Sequence, residues 1–200
     1  LDRASRQRCL ACLMRVAEES ALPMLYVSHD IEEISQIADR LLMLDQGRLV
    51  EQGPFIELAG RLDTRLAHET RAAAIVLGSV ARHDEAYGLT ELSLEGQSLW
   101  VNRLSAEPGQ VRRVRIPARD VSVARSASSD TSILNSFETR LLEIEESEGS
   151  RVLLRLALGR QFLLARITRK SADQLALQPG DTLYAQVKSA ALLTDGVSEQ

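Results

Sequence analysis

Residues 24–54 read MLYVSHDIEEISQIADRLLMLDQGRLVEQGP, and the order of signals in this stretch sets the fold class. Met24-Leu25-Tyr26-Val27 is a short, continuous apolar run after Pro23. Such runs suit strands covered on both faces, as in a parallel sheet under helices. The run delivers Ser28, His29 and Asp30 to its carboxyl end, where open α/β sheets bind ligands. Asp30 reads as a helix N-cap, with Glu33 three residues on as its capping-box partner. Ile31, Ile34 and Ile37 or Ala38 recur on one helical face. Leu41-Leu42-Met43-Leu44 reads as a second buried strand. Gln46-Gly47 turns the chain into Arg48-Leu49-Val50-Glu51, and Gly53-Pro54 closes that hairpin. The expectation is an α/β layer with a small antiparallel edge.

Upstream, Asp2 is positioned to cap a helix from about Arg3 to Ser20. Cys9 and Cys12 fall inside that helix. No second cysteine pair or paired histidines complete a zinc site around them. They read as small apolar core residues. Downstream, a polar helix is expected over about 60–71. From about Ala74 the texture changes to short alternating strands with Gly, Pro and Asp turns, the pattern of an all-β barrel or sandwich.

This second region repeats itself. Gly96–Leu104 (GQSLWVNRL) aligns with Gly159–Ile167 (GRQFLLARI), and Leu104–Gly109 (LSAEPG) with Leu175–Gly180 (LALQPG). The second copy carries an insertion over about 168–174 that reads as one extra helical turn. Each copy then runs into a strand, Val111–Ile116 or Thr182–Val187. Two similar β-units are implied, joined by the linker Ser126-Ala127-Ser128-Ser129-Asp130.

Composition narrows the function classes. The 200 residues are 44% hydrophobic and 26% charged, enough apolar material for a core and too little net charge for disorder. Aromatics make up only 4%, so packing rests on Leu, Ile, Val and Ala. A net charge of -4 gives no basic footprint for nucleic acid. No secretory signal opens the chain, and no stretch reaches the ~18 apolar residues of a membrane span. The acidic run Glu143, Glu145, Glu146 and Glu148 fits strand alternation and an exposed turn at Gly149 better than a metal site. Because the first residue is Leu1, the chain reads as cut from something longer.

The pieces of 24–54 arrive in a specific order: a strand ending in Ser28-His29-Asp30, an acidic helix start, Ala38-Asp39-Arg40 opening a strand, a hairpin at Asp45–Leu49, and the exit Gly53-Pro54. This resembles the C-terminal part of an ATP-binding cassette (ABC) ATPase domain. The resemblance implies that His29 takes the switch-histidine position against the ATP γ-phosphate. Asp2 matches the end of the family's D-loop, which shapes the nucleotide site across a dimer interface. There is no GxxxxGK[ST] phosphate loop, no signature motif, and no strand ending in the Asp-Glu pair that holds magnesium. In the family these lie before the D-loop, hence upstream of Leu1. Residues 1–200 alone are expected not to hydrolyse ATP.

Residues 129–193 resemble the Mop unit, a subtype of the TOBE β-domains of importer ATPases. The matching pieces are Thr131–Asn135 (TSILN), Ala165–Thr168 (ARIT), Leu177–Gly180 (LQPG) and Ala185–Ser189 (AQVKS). Tyr87–Thr90 (YGLT) and Ala118–Val121 (ARDV) in the first unit are similar to the molybdate importer ATPases. By this resemblance Thr131, Ser132, Thr168, Lys188 and Ser189 lie at or near oxyanion-binding positions. Where relatives carry Arg, this chain has Leu134, which leaves Lys188 as the main cation. A tetrahedral dianion wants hydroxyl and N–H donors plus a cation. Read without the resemblance, Thr131-Ser132 open a strand and Lys188 is a solvated strand end.

The fold expected is therefore α/β, the C-terminal part of an ABC ATPase domain, followed by an all-β tandem OB-like barrel (TOBE/Mop) domain. Its divisions are 1–71 for the ATPase part, 72–127 for the first TOBE-like unit, 128–195 for the Mop-type unit and 196–200 for a tail. The resemblance implies the ATP-binding subunit of a molybdate ABC importer. It implies ATP and Mg2+ as cofactors of the longer protein, and molybdate or tungstate as ligand. It also implies a homodimer docked on a transmembrane permease at the cytoplasmic face of the inner membrane, served indirectly by a periplasmic or surface molybdate-binding protein, with no nucleic acid partner. The alternatives are a stand-alone or regulatory molybdate/tungstate-binding module, or an ABC ATPase for another cargo such as sulfate or iron.

Overall fold

The computed structural model describes residues 3–20, 23–68, 72–127, 130–146, 149–188 and 193–194. The chain forms two compact units, Leu1–Phe55 and Ile56–Gln200.

In the first unit, α1 spans Arg3–Ser20 and α2 spans Ile31–Ile37. A hairpin follows, β1 (Arg40–Asp45) against β2 (Arg48–Pro54), antiparallel with Leu41 opposite Gly53. Gln46 and Gly47 take φ +47 and +75 at its turn, the left-handed pair that a two-residue hairpin loop demands. Three expectations need correction. Met24–Val27 is not a strand; among the described residues nothing pairs with it, and a strand needs a neighbour for its backbone groups. The apolar residues of the runs at 24–27 and 41–44 are mostly open to solvent rather than buried: Leu25 is 82% exposed, Val27 87% and Leu44 68%, while Leu41 alone of β1 is buried. Cys9 and Cys12 are free thiols on an exposed face of α1 rather than core residues.

Of the helix expected over about 60–71, residues 69–71 lie outside the described residues. The described part is a single short turn of helix, α4 (Arg65–His68), preceded by α3 (Phe55–Ala59). The bend between them is held by the buried Thr64, whose hydroxyl donates to the Leu58 carbonyl. Leu62, Leu66 and Ala67 are buried around it, so this segment is less polar in its packing than in its composition.

The second unit holds two five-stranded sheets. The first half of its chain supplies β3 (Ala73–Asp84), β4 (Leu89–Leu94), β5 (Gln97–Asn102), β6 (Val111–Pro117) and β7 (Val121–Ala124), with a 3-10 turn at Ala118–Asp120 before β7. The second half supplies β8 (Asn135–Glu146), β9 (Arg151–Leu158), β10 (Gln161–Thr168), α5 (Arg169–Gln174), β11 (Thr182–Val187) and β12 (Leu193–Thr194). The strand orders are β12-β6-β3-β4-β5 and β10-β9-β8-β11-β7. Read from opposite ends, these are the same sheet built twice, and α5 is the insertion read in the second copy. Yet the sheets are not the chain halves. β7 pairs with β11, and β12 pairs with β6, so each half gives its last strand to the other.

The repeat extends to single hydrogen bonds. Each long strand carries a register shift, between Val80 and Arg82 in β3 and between Leu141 and Glu143 in β8. Onto each shift folds a Pro-Gly turn: Gly109 N–H donates to Val80 O, and Gly180 N–H to Leu141 O, both at 2.7 Å. β4 pairs with β3 only from Ser79 onward, and β9 with β8 only from Arg140 onward. The uncovered backbone is closed by an amide from the other half. Gln161 bonds both ways to the Leu77 backbone, at 2.6 and 2.9 Å. Gln97 bonds both ways to the Glu138 backbone, at 2.8 and 2.9 Å. A primary amide carries a donor and an acceptor at the spacing of a peptide edge, so it serves as one more strand residue.

Alternation does the packing. β4 buries every second residue and β11 does the same, as a sheet with one face on a core requires. Leu92, Leu94, Leu99, Val114 and Ile116 meet Phe137, Leu141, Leu154, Leu156, Leu163 and Leu183 in one continuous cluster. β10 also lies against β7, at the other end of its sheet, so the strands curl toward closure. Arg125 pins the exchanged β7 in place. Its guanidinium donates to the Leu175 and Ala176 carbonyls and pairs with Asp181 at 2.8 Å.

Candidate functional site

Two places carry the residues singled out in the sequence. The first is the bend at 28–30. Asp30 is the N-cap of α2, its Oδ1 accepting from Glu32 N–H at 2.9 Å. Asp30 N–H donates to Ser28 Oγ, at 3.0 Å. Glu33 Oε2 accepts from Ser28 Oγ at 2.8 Å and from Tyr26 Oη at 2.9 Å. The Tyr26 phenol is pushed above its ordinary value, by burial first and then by the Glu33 carboxylate. His29 stands exposed between these fastened neighbours. Asp2 lies outside the described residues.

The second place is one end of the β8/β11 pair. Asn135 opens β8 opposite Val187, which closes β11. The segment before β8, with Thr131 and Ser132, therefore leaves the sheet at the same end as Lys188. Thr131, Ser132 and Lys188 are all exposed, and Thr131 Oγ1 accepts from Ile133 N–H at 3.2 Å. Leu134, 58% exposed, sits among them with no charge to offer. Ser189 lies outside the described residues. Thr168 is placed differently, at the end of β10. It caps α5, accepting from Ser171 N–H at 3.1 Å and sharing a hydrogen bond with Ser171 Oγ at 2.8 Å.

Asn135 belongs to the same motif and does another job. It is fully buried, and its amide bonds both ways to the Trp100 backbone, at 2.7 and 2.9 Å. It clamps β8 to the edge strand β5 of the other sheet. The hub role of Glu33 was equally hidden. The signal available for it was the alternation of two hydroxyl residues, Tyr26 and Ser28, on one side of an extended segment facing the first turn of a helix.

Two of the acidic residues of β8 form ion pairs. Glu143 meets Arg155 and Glu146 meets Arg169, each at 2.8 Å. Among the described residues, no helix is long and apolar enough to cross a membrane.

Comparison with known proteins adds three findings. Residues 131–193 match the TOBE domain family. Nearly the whole chain is similar to proteins called molybdenum import ATP-binding protein ModC. The one from Aromatoleum aromaticum is 42% identical over 193 residues, which cover 96% of this chain and 51% of that protein. ModC 1 of Azotobacter vinelandii is 40% identical, over 96% of this chain and 54% of its own length. The Pseudomonas aeruginosa protein is 41% identical, over the same two shares. The chain thus spans about half the length of the curated relatives it matches. Among solved structures, the cytoplasmic molybdate-binding protein ModG, with molybdate bound, superposes with a TM-score of 0.55. It is 20% identical, over 62% of this chain and 95% of that one. At that identity the likeness speaks for the β-fold.

Proposed function

The chain is a relative of the molybdenum import ATP-binding proteins and carries a TOBE domain, and we propose that it is the C-terminal part of such a subunit, powering molybdate import. The observation that carries this is identity of about two residues in five over nearly the whole chain, through both the switch-like bend and the tandem β-domain. On this reading the ATPase-derived part ends by about residue 71, and the two β-units occupy 72–127 and 128–195. The longer protein binds ATP with Mg2+, acts as a homodimer with Asp2 at the shared nucleotide interface, and docks on a membrane permease at the cytoplasmic face.

Within this chain the nucleotide chemistry falls to His29. An exposed imidazole on a fastened bend can donate to a γ-phosphate oxygen as charge builds there. ATP supplies the phosphoryl group; the phosphate cradle and the magnesium carboxylates are not among these residues. A single contact cannot replace the positioning on which phosphoryl transfer depends, so residues 1–200 alone release no phosphate. In the full-length protein His29→Ala lowers kcat far more than ATP affinity, since the contact strengthens in the transition state. A wild-type kcat in that variant removes His29 from the site.

The β-domain binds molybdate or tungstate. Thr131 and Ser132 bring hydroxyls to the strand end that Lys188 leaves, and Ser189 follows it. Thr168 supplies a further hydroxyl, and a second copy of the chain completes the enclosure. Calorimetry with molybdate on the β-domain-bearing protein tests this. Lys188→Ala should weaken binding by about tenfold or more, a charge-assisted hydrogen bond being worth about 1.5–3 kcal/mol. No heat at millimolar molybdate ends the proposal, and binding untouched by Lys188→Ala moves the site away from this strand end.

A further inference from the structure

We propose that Glu33 positions His29, an inference that rests on His29 being the γ-phosphate contact. Residues 26–29 run without helix or turn into the bend at His29. Val27 and His29 are both exposed, whereas Tyr26 and Ser28 are half-buried, so exposure alternates along the segment and the two hydroxyl residues form its inner side. One oxygen, Glu33 Oε2, accepts both hydroxyls. It stands in the first turn of α2, so it ties the inner side of the segment to the helix and commits the outer side, with His29, to solvent.

Ser28 doubles the tie. Its Oγ donates to Glu33 and accepts from Asp30 N–H, which fixes the backbone on both sides of His29. The Glu33 carboxylate thus serves the segment before the helix, through two hydroxyls, as well as standing in the helix's first turn. Bonds to an ionised acceptor are stronger than neutral ones, which suits a residue that must hold two hydroxyls at once. Glu33 touches no phosphate in this role. It sets the direction from which the imidazole approaches.

The test uses the full-length subunit. Glu33→Ala should lower kcat on the order of 10–100-fold, the cost of a misplaced group, with KM for ATP little changed. Glu33→Gln keeps an acceptor oxygen and should recover most of the loss. The double variant Tyr26→Phe with Ser28→Ala leaves Glu33 intact but removes both of its bonds, and should reproduce Glu33→Ala. Hydrogen exchange of the backbone amides at 28–31 should quicken in Glu33→Ala and in the double variant, but not in Glu33→Gln. The proposal is overturned by a normal kcat in Glu33→Ala, by a loss that the double variant does not share, or by unchanged exchange at 28–31. His29→Ala separates the two readings. A normal kcat there ends the phosphate role of His29, while the exchange data still report whether Glu33 holds the segment.

Discussion

The apolar runs at 24–27 and 41–44 and the stretch at 152–156, broken only by Arg155, are similar as sequence, and, apart from the buried Leu41, their leucines and valines end in opposite environments. Val152, Leu153, Leu154 and Leu156 are buried at 4% exposure or less. Leu25, Val27, Leu42 and Leu44 are all more than half exposed. The difference is one of neighbours. β9 has β8 and β10 on its two sides, whereas β1 has only β2 and the 24–27 segment has no strand beside it among the described residues. An apolar run states what a segment can bury; only other segments decide whether it does.

The largest effect that can break this comparison comes from the core of the second unit. Phe137→Ala, at a fully buried ring, should cost about 3–5 kcal/mol in denaturant unfolding. Leu25→Ala should stay within about 0.5 kcal/mol, as exposed positions do. Equal costs would mean that the two environments do not differ as described.

Close packing between strands gives the next effect. A Cβ on Gly78 would stand 2.5 Å from Leu94 Cδ1 and 3.0 Å from Leu92 Cβ. Gly78→Ala should therefore destabilise by about 1–3 kcal/mol through overpacking, read as a lowered unfolding midpoint. The glycine of the exposed hairpin, Gly47, meets nothing within 4 Å, so any cost of substitution there comes from its φ of +75 alone.

Asn135→Ala would orphan the Trp100 backbone groups that the amide now serves, at a cost of about 1–3 kcal/mol. If the clamp between the sheets is real, Trp100 fluorescence should shift as well. An unchanged spectrum with unchanged stability would reduce Asn135 to a packing residue.

The smallest effect is pH-dependent and sits at Asp181. Its carboxyl is held below the usual range, first by the Gln178 N–H and then by Arg125. A depressed folded pKa contributes stability above the unfolded carboxylate value, and that contribution disappears as pH falls through the lower folded value. Asp181→Asn should therefore flatten the acid limb of the stability curve below about pH 4 and leave its slope near neutrality unaltered. An identical acid limb in wild type and variant would dismiss the Arg125–Asp181 tie.

Local chemistry alone settled much of this chain. Asp30 starts a helix because its side chain accepts from the Glu32 N–H of the first turn. Gln46-Gly47 makes a hairpin because two residues there tolerate positive φ. The internal repeat was legible because two blocks, the second a Pro-Gly turn, match in the same order, and the helical insertion over about 168–174 was legible because it breaks the alignment. These are interactions between residues a few positions apart, so their signals lie side by side in the sequence. What tertiary structure alone decided is which strand accepts which. The exchange of β7 and β12, the clamping of β8 by Gln97 and of β3 by Gln161, the burial of Asn135, and the capture of two hydroxyls by Glu33 leave little local trace. Each is a choice among partners that compete for the same backbone or side-chain group, and that choice is made by distance and burial once the chain has closed on itself.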